Sequence, residues 1–199
     1  LTGGLEWVAS VSGPGNEDAI NSIICMADGS VTIAGNMYAP TYFDVTNVRN
    51  PPIYRGQPQM YVANYNSLGA ANTVVTGQQL LGISGFEISY QIHALRMGGD
   101  GDVYMSVVYQ TNTQRTRVIA RVQVSSGNIL WMEPTGCCFN PGMYIDQHSN
   151  VFVTGGFDGQ ITIGLTSLVA QSPSDIAYFA LNSTGHLQWV NQAGGLGAS

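Results

Sequence analysis

The sequence contains no lysine and few charged residues of any kind. Its 6 basic residues, all of them arginine, stand against 12 acidic residues, so the formal net charge is −6. Charged residues make up 9% of the chain, whereas an ordinary soluble domain has about 25%. The surface must therefore be covered by Ser, Thr, Asn, Gln and Gly. Because such a neutral, hydrogen-bonding surface is typical of matrices and filaments, we expect an extracellular or cell-surface location.

Other absences narrow the classes of function. The negative charge and the lack of a basic run argue against nucleic-acid binding. The sequence has no run of about 18 apolar residues, so we expect no membrane span. There is no Gly-x-Ser-x-Gly elbow, no His-Glu-x-x-His motif and no P-loop. The three histidines (His93, His148 and His186) are far apart in the sequence. We therefore expect no catalytic residue and no cofactor.

Cysteine is scarce, and its count is odd. Cys25, Cys137 and Cys138 are the disulfide candidates. Cys25 can bridge to one member of the adjacent pair, the pair can bridge to itself, or the thiols can remain buried and reduced. There is no Cys-x-x-Cys motif and no histidine close to the cysteines, so we expect no metal site.

The chain does contain a short repeated phrase, in which a glycine is followed by a leucine or isoleucine and then by a tryptophan at alternate positions. It occurs at Gly3–Trp7, Gly127–Trp131 and Gly185–Trp189, and these copies use all three tryptophans. A weaker copy at Gly77–Leu81 has leucine in place of tryptophan. Self-similarity at a spacing of about 50–70 residues indicates stacked supersecondary units.

A second phrase, a polar turn followed by alternating apolar residues, separates the copies. It occurs at Asp28–Gly35, Gly101–Val107 and Ser149–Gly155, and it is typical of a hairpin turn that leads into a strand. Apolar runs precede each phrase, and no segment has a sustained helical period. The sequence thus predicts an all-β fold of four-stranded units, and such units repeated in line are the blades of a β-propeller.

These motifs also carry a resemblance. The stretch Asp175–Trp189, and the run from Leu5–Trp7 to Asp28–Gly29, resemble the seven-bladed β-propeller repeat family that is often found in secreted and cell-surface proteins. The resemblance is weaker in the second unit, which lies between these two stretches. It implies a propeller, and it implies no single activity, because propellers host many.

The repeat predicts one β-propeller-like domain over 1–199. Its units span about 8–81, 82–131 and 132–189, with an extra outer strand over 1–10. Propellers have about 4–8 blades, so the chain is part of a longer protein, one of several copies that complete a ring, or an open stack. Because bare strand edges recruit other chains, we expect the partner to be a second copy, in an oligomer or filament, or the rest of a longer chain.

Three features are candidate sites on the surface. Asn182, in an Asn-Ser-Thr sequence at a predicted hairpin tip, is a glycosylation candidate if the source has a secretory route, and otherwise only a turn. The Pro-rich segment Ala39–Met60 is the longest interruption. Its aromatic residues Tyr42, Phe43 and Tyr54 are candidates to contact a ligand, such as a glycan, or a neighbouring subunit. The alternative is a loop that packs on its own blade.

Two charged groups have competing interpretations. Arg115, Arg117 and Arg121 have one parity on a predicted strand, so they share a face. That face can meet an acidic patch of a partner or an anionic glycan, or it can simply be solvated. Asp100 and Asp102 resemble a fragment of a calcium-binding nonapeptide, but two carboxylates are too few, and a hairpin turn explains them better.

These observations favour an extracellular structural or adhesive protein that acts by self-assembly or surface attachment. One alternative is a carbohydrate- or protein-binding propeller module of a larger secreted protein, which the aromatic insert motivates. Another is a propeller enzyme, which would gather polar residues from several blades at the mouth of its channel.

Overall fold

The computed structural model describes residues 5–12, 19–38, 41–43, 48–49, 59–77, 79, 89–98, 100–110, 114–123, 126–136 and 142–195. Three of the candidate residues, Tyr54, Cys137 and Cys138, lie outside this set.

The described residues form mostly β-strands. The strands are β1 (Ala19–Cys25), β2 (Val31–Met37), β3 (Thr41–Tyr42), β4 (Val48–Arg49), β5 (Gln59–Tyr65), β6 (Ala71–Thr76), β7 (Ser89–Met97), β8 (Val103–Gln110), β9 (Arg115–Gln123), β10 (Asn128–Gly136), β11 (Gly142–Ile145), β12 (Val151–Phe157), β13 (Gln160–Ile163), β14 (Thr166–Val169), β15 (Asp175–Leu181) and β16 (Leu187–Ala193).

Three antiparallel sheets of four strands contain most of these elements. The first sheet has the order β1-β2-β5-β6, the second β10-β9-β8-β7 and the third β11-β12-β15-β16. Two small hairpins, β3–β4 and β13–β14, are inserted between the two inner strands of the first and third sheets. The prediction of an all-β chain built from four-stranded, blade-like units is therefore confirmed.

Alternation of side chains decides which side of each sheet is buried. In β11, Met143 and Ile145 are buried, while Tyr144 between them is 65% exposed. In β15, Ala177 and Phe179 are buried and flank an exposed Tyr178. The third sheet thus has one apolar face in the core, as the period of two in a strand requires. In contrast, the run Val103–Val108 of β8 is buried on both sides.

The chain divides into two compact parts, Leu1–Gln91 and Ile92–Ser199, and each has its own apolar core. The core of the first part lies on one side of the first sheet and consists of Val31, Ile33, Met37, Phe43, Tyr61, Ala63, Tyr65 and Val74. The core of the second part lies between the second and third sheets. Its largest members are Tyr104, Phe157 and Phe179.

Two details differ from the sequence expectation. Residues 5–11 form no strand, and Ser12 makes only an isolated bridge with Tyr42. The outer strand of the first sheet is β6, which ends before Gly77, so the glycine of its turn is Gly69. The reason is conformational, since this turn needs a residue with positive φ and Gly69 supplies it at +82°.

Candidate functional site

Five hairpin turns of the sheets have the same backbone geometry. In each, the N–H of the first residue donates to the carbonyl of the fifth, and the N–H of the fourth donates to the carbonyl of the first. The fourth residue has a φ between 62° and 83° in every case. These fourth residues are Gly29, Gly69, Gly101, Ser149 and Gly185. The common turn gives every sheet a rigid corner with little side-chain bulk.

Asn182 opens the last of these turns. Its Oδ1 accepts hydrogen bonds from the backbone N–H of Thr184 at 3.0 Å and of His186 at 2.9 Å, and from Oγ1 of Thr184 at 2.8 Å. The atom that would carry a glycan, Nδ2, donates to no described residue. Asn182 therefore stabilises the turn through one side-chain atom and leaves the other available, and glycosylation stays a prediction.

Trp131, on β10 of the second sheet, packs against this same turn of the third sheet. Its Nε1 donates to the carbonyl of Ser183 at 2.9 Å. The indole lies so close to Gly185 that a Cβ there would be 2.7 Å from Cδ2 of Trp131. Because glycine both permits the positive φ and leaves room for the ring, Gly185 acts as a seat for the tryptophan.

Arg121, beside Trp131 on β9, ties the same two sheets together. Its Nε and Nη2 donate to Oδ2 of Asp102 at 2.9 and 2.7 Å, and Nη2 lies 3.0 Å from Oδ2 of Asp100. Its Nη1 donates to the carbonyl of Ser183 at 2.8 Å. The Ser183 carbonyl thus accepts from both Arg121 and Trp131. We call the contacts of Arg121 and Trp131 with the turn at Asn182–His186 the Trp131 seam.

The environment of the seam shifts the pKa values of Tyr104 and Asp100. Burial raises the pKa of Tyr104 to about 12, and its hydroxyl donates to Oδ2 of Asp100 at 2.9 Å. Burial opposes ionisation of Asp100, but hydrogen bonds from Ser149, the Asp102 N–H and Tyr104, together with the charge of Arg121, lower the pKa of this carboxyl overall. The carboxylates therefore serve as partners for Arg121.

Trp7 is seated in the same way on the first sheet. A Cβ on Gly69 would lie 2.8 Å from Cδ2 of Trp7, and the indole stacks on Tyr65 with centroids 6.3 Å apart at an interplanar angle of 15°. Trp7 belongs to a segment that forms no strand, with Leu5 82% and Val8 76% exposed. A tryptophan thus fills the glycine seat even where no sheet carries it.

Trp189, on β16, has the same register position as Trp131 but is 42% exposed. Phe152, Ala180 and Trp189 stand side by side across the third sheet, as Tyr104, Arg121 and Trp131 do across the second. We call this outer side of the third sheet the tail face.

The tail face is aromatic. Tyr178 lies 6.1 Å from Trp189 and is 40% exposed. Its apolar and aromatic members are Tyr144, Phe152, Ile176, Tyr178, Ala180 and Trp189. Thr154 and Asn191, which pair with Tyr178, are polar members, and none of these residues is charged. The tail face is the counterpart of the side of the second sheet that packs on the third.

The aromatic candidates of the insert have different surroundings. Phe43 is fully buried in the core of the first part, where its ring meets Tyr61 edge-on at 4.8 Å. Its carbonyl accepts from the hydroxyl of Tyr65 at 2.8 Å. Tyr42 is 46% exposed and is the residue that bridges to Ser12. Of the three candidates, Tyr42 is therefore the described residue that has an exposed side chain.

The three arginines of β9 face one side of the second sheet, since they pair with Gln110, Val108 and Tyr104. Arg115 is exposed and Arg117 is buried, while Arg121 is half-buried in the seam. Burial and the charges of Arg117 and Arg115 lower the pKa of His93. The face thus changes from exposed at one end to sheet-binding at the other.

The cysteines and the histidines are the remaining residues that the sequence singled out. Cys25 is exposed on β1 and forms no disulfide with another described residue. Since Cys137 and Cys138 are outside the described residues, a disulfide to either of them stays a prediction. His186 Nδ1 lies 2.9 Å from Oγ1 of Thr184, and His148 Nδ1 lies 4.0 Å from Oδ2 of Asp146. Both histidines thus contact the turns in which they lie.

Two kinds of site are absent from the residues that the structure describes. No group of three or more His, Cys, Asp or Glu side chains among them is placed to hold a metal ion. In the same part of the chain, no helix is long and apolar enough to cross a membrane.

Sequence reasoning found the tryptophans and Arg121 but not their common acceptor. Because the acceptor is the backbone carbonyl of Ser183, no residue type in the sequence identifies it. Its position two residues before Gly185, at the start of a repeated phrase, is the one sequence feature that marks it. Comparisons with known proteins add no further residue, because no protein-family model matches the chain and no curated protein is similar to it.

Proposed function

We propose that the protein is an extracellular structural or adhesive protein that acts by self-assembly or surface attachment through propeller-type blades. The observation that carries this proposal is the tail face, where Trp189, Tyr178 and Tyr144 are 42%, 40% and 65% exposed. Neighbouring exposed aromatic groups without charge are typical of interaction sites. The equivalent side of the second sheet is used to bind another sheet.

Composition supports the extracellular location. A chain with no lysine and 9% charged residues depends on polar uncharged groups for its solubility, and such surfaces suit assemblies outside the cell. The resemblance of the repeat to secreted propeller proteins points the same way. We include glycosylation at Asn182 in this proposal.

The proposal is tested on native material. Immunogold electron microscopy of the source, combined with intact mass spectrometry, should find the protein outside the cell in filaments, rings or a surface layer, with extra mass at Asn182 if a glycan is attached. Protein found only inside the cell as single, unassembled particles contradicts the proposal.

A second candidate function is glycan binding, because the exposed rings of Tyr42 and of the tail face can stack on sugars. A glycan array with the wild type and with Tyr42→Ala and Tyr144→Ala variants separates the two. Binding that both substitutions leave intact, or no binding at all, removes this candidate, whereas loss of binding without loss of assembly favours it.

A further inference from the structure

The first sheet has an exposed apolar region that corresponds to a buried region of the third. Ile23 and Cys25 lie on β1 just before the turn at Met26, and they pair with Ile33 and Val31. Ile23 is 63% exposed, and Cys25 is exposed as well. We call the side of the first sheet that carries Ile23, Cys25 and the seat at Gly69 the head face.

The third sheet shows what covers these positions. Met143 and Ile145 stand just before the turn at Asp146 and pair with Val153 and Val151. They are only 6% and 9% exposed, because the second sheet packs over them. Ile23 and Cys25 therefore occupy positions that a preceding sheet covers elsewhere in the same chain.

We propose that the tail face of one copy of this chain binds the head face of a second copy, with Trp189 replacing Trp7 on Gly69. This inference rests on the proposed function, because it names the surfaces through which self-assembly occurs. The Trp131 seam is the template, since there the outer tryptophan of one sheet sits on the turn glycine of the next. Trp7 holds the Gly69 seat with a segment that forms no strand, so it is a competitor within the chain.

The chemistry of the two faces is matched. In the seam, Asp100 and Asp102 of its own sheet neutralise Arg121, and the third sheet supplies the carbonyl of Ser183. The tail face has Ala180 in the position of Arg121, so it brings no charge that a partner must neutralise. The head face offers Ile23 and, once Trp7 leaves, the ring of Tyr65. Because the two faces differ, the contact is heterologous, and it propagates into a ring or a filament.

The area of one sheet predicts a weak contact. A whole face of four strands about 4.8 Å apart, each about seven residues long, would bury on the order of 1,000 Å² in total, which is at the low end for specific interfaces. The available part of the head face is smaller than this, because Ile33, Ala63 and Phe43 on the same side are already buried in the core of the first part. We therefore expect association that depends on protein concentration, and we expect Trp7→Ala to strengthen it by removing the competitor.

Sedimentation velocity over a wide concentration range tests the proposal with the whole chain. Trp189→Ala and, as a second tail variant, Tyr178→Ser should each weaken association by at least about 30-fold, the effect of a hot-spot aromatic residue. Ile23→Asp is the head variant. Leu165→Ser is the control, because Leu165 is fully exposed at 103% on the tip of the β13–β14 hairpin and lies on neither face. Circular dichroism checks that each variant is folded.

Mixing the variants gives the sharpest result. The tail variant alone and the head variant alone should be monomeric, while an equimolar mixture should form dimers and nothing larger, since one intact face of each kind remains. A wild type that stays monomeric, a head variant that still dimerises by itself, or association that no substitution weakens overturns the proposal. Assemblies outside the cell that survive Trp189→Ala would overturn this inference alone, and a head-to-tail oligomer confined to the cell interior would overturn only the proposed function.

Discussion

Trp131 and Trp189 have the same register position in neighbouring sheets, but their surroundings differ. Trp131 donates to the carbonyl of Ser183 and lies against Gly185 of the next sheet. Trp189 makes ring contacts with Phe152 and Tyr178 of its own sheet and is 42% exposed. The difference shows that the repeated tryptophan is a connector between sheets. In the second and third sheets, it is partly buried where the turn of a following sheet provides its seat and is exposed where none does.

The largest effect should come from removing the two connectors in turn. Trp131→Ala should lower the free energy of unfolding by about 3–5 kcal/mol, because it removes a large packed ring and leaves a cavity. Trp189→Ala should cost about 1 kcal/mol or less in the monomer, since its ring is partly solvated already. Urea denaturation at low protein concentration measures both. If the two variants lose the same free energy of unfolding, Trp131 does not connect two sheets more strongly than Trp189 does.

The seat can be tested separately from the ring. Gly185→Ala forces a side chain into positive φ and against Trp131, and should cost about 3–4 kcal/mol. Gly101→Ala is the matched control, because Gly101 has a φ of +81° in the same kind of turn and a Cβ there meets nothing within 4 Å. It should cost about 1–2 kcal/mol. If thermal denaturation gives both variants the same loss, close packing of Trp131 on Gly185 is not what makes the glycine necessary.

The charged part of the seam should contribute less than its packing. Arg121→Met leaves Asp100 and Asp102 without their cation and should cost about 2–3 kcal/mol. The side chain of Arg121 is 18% exposed, whereas that of Arg115 is on the surface, so Arg115→Met should change stability by about 0.5 kcal/mol or less. Chemical denaturation of the two variants decides this. If Arg115→Met lowers the free energy of unfolding as much as Arg121→Met does, the stabilising charge does not lie at the Arg121 end of β9.

Acid should weaken the seam before it affects the tail face. The pKa of Asp100 is lower in the folded chain than its usual value, so its contribution to stability is fully present above about pH 4 and is lost as the pH falls through the folded pKa. The protection factor of the amides in the Asn182–His186 turn, which is the intrinsic exchange rate at each pH divided by the observed rate, should therefore decrease below about pH 4. Asp100→Asn should abolish most of this pH dependence. A protection factor that does not change with pH in the wild type removes the assigned role of Asp100.

The strands of the fold were predictable because the sequence of each strand and its turn determines them locally. Alternating runs such as Met60–Tyr65 and Ile176–Leu181 indicate which residues face inward, and the turns that follow them contain glycine. The first sheet was harder, since the phrase at Gly77 resembles the repeat while Gly69, which lacks a following tryptophan, makes the turn. Local similarity could not show that the first seat is filled from the segment at Trp7.

The candidate site was predictable only in part. The parity of Arg115, Arg117 and Arg121 places them on one face, as the structure has them. Their different fates depend on which sheet lies opposite each one, and that is a tertiary property. Phe43 illustrates the same limit, because an aromatic residue in a Pro-rich insert suits a binding loop as well as it suits a core.

The most direct measurement is ¹⁹F NMR of protein labelled with 5-fluorotryptophan, with each resonance assigned by a Trp→Phe variant and its solvent exposure read from the H₂O/D₂O isotope shift. The account predicts that the Trp131 resonance is shielded from solvent at every concentration. It predicts that the Trp189 resonance is exposed at low concentration and becomes shielded as copies associate, while that of Trp7 becomes exposed. The claim is that the tail face is exposed in the monomer and binds a second copy through Trp189. A Trp189 resonance that is shielded in the dilute monomer, or one that stays exposed while copies associate, would contradict it.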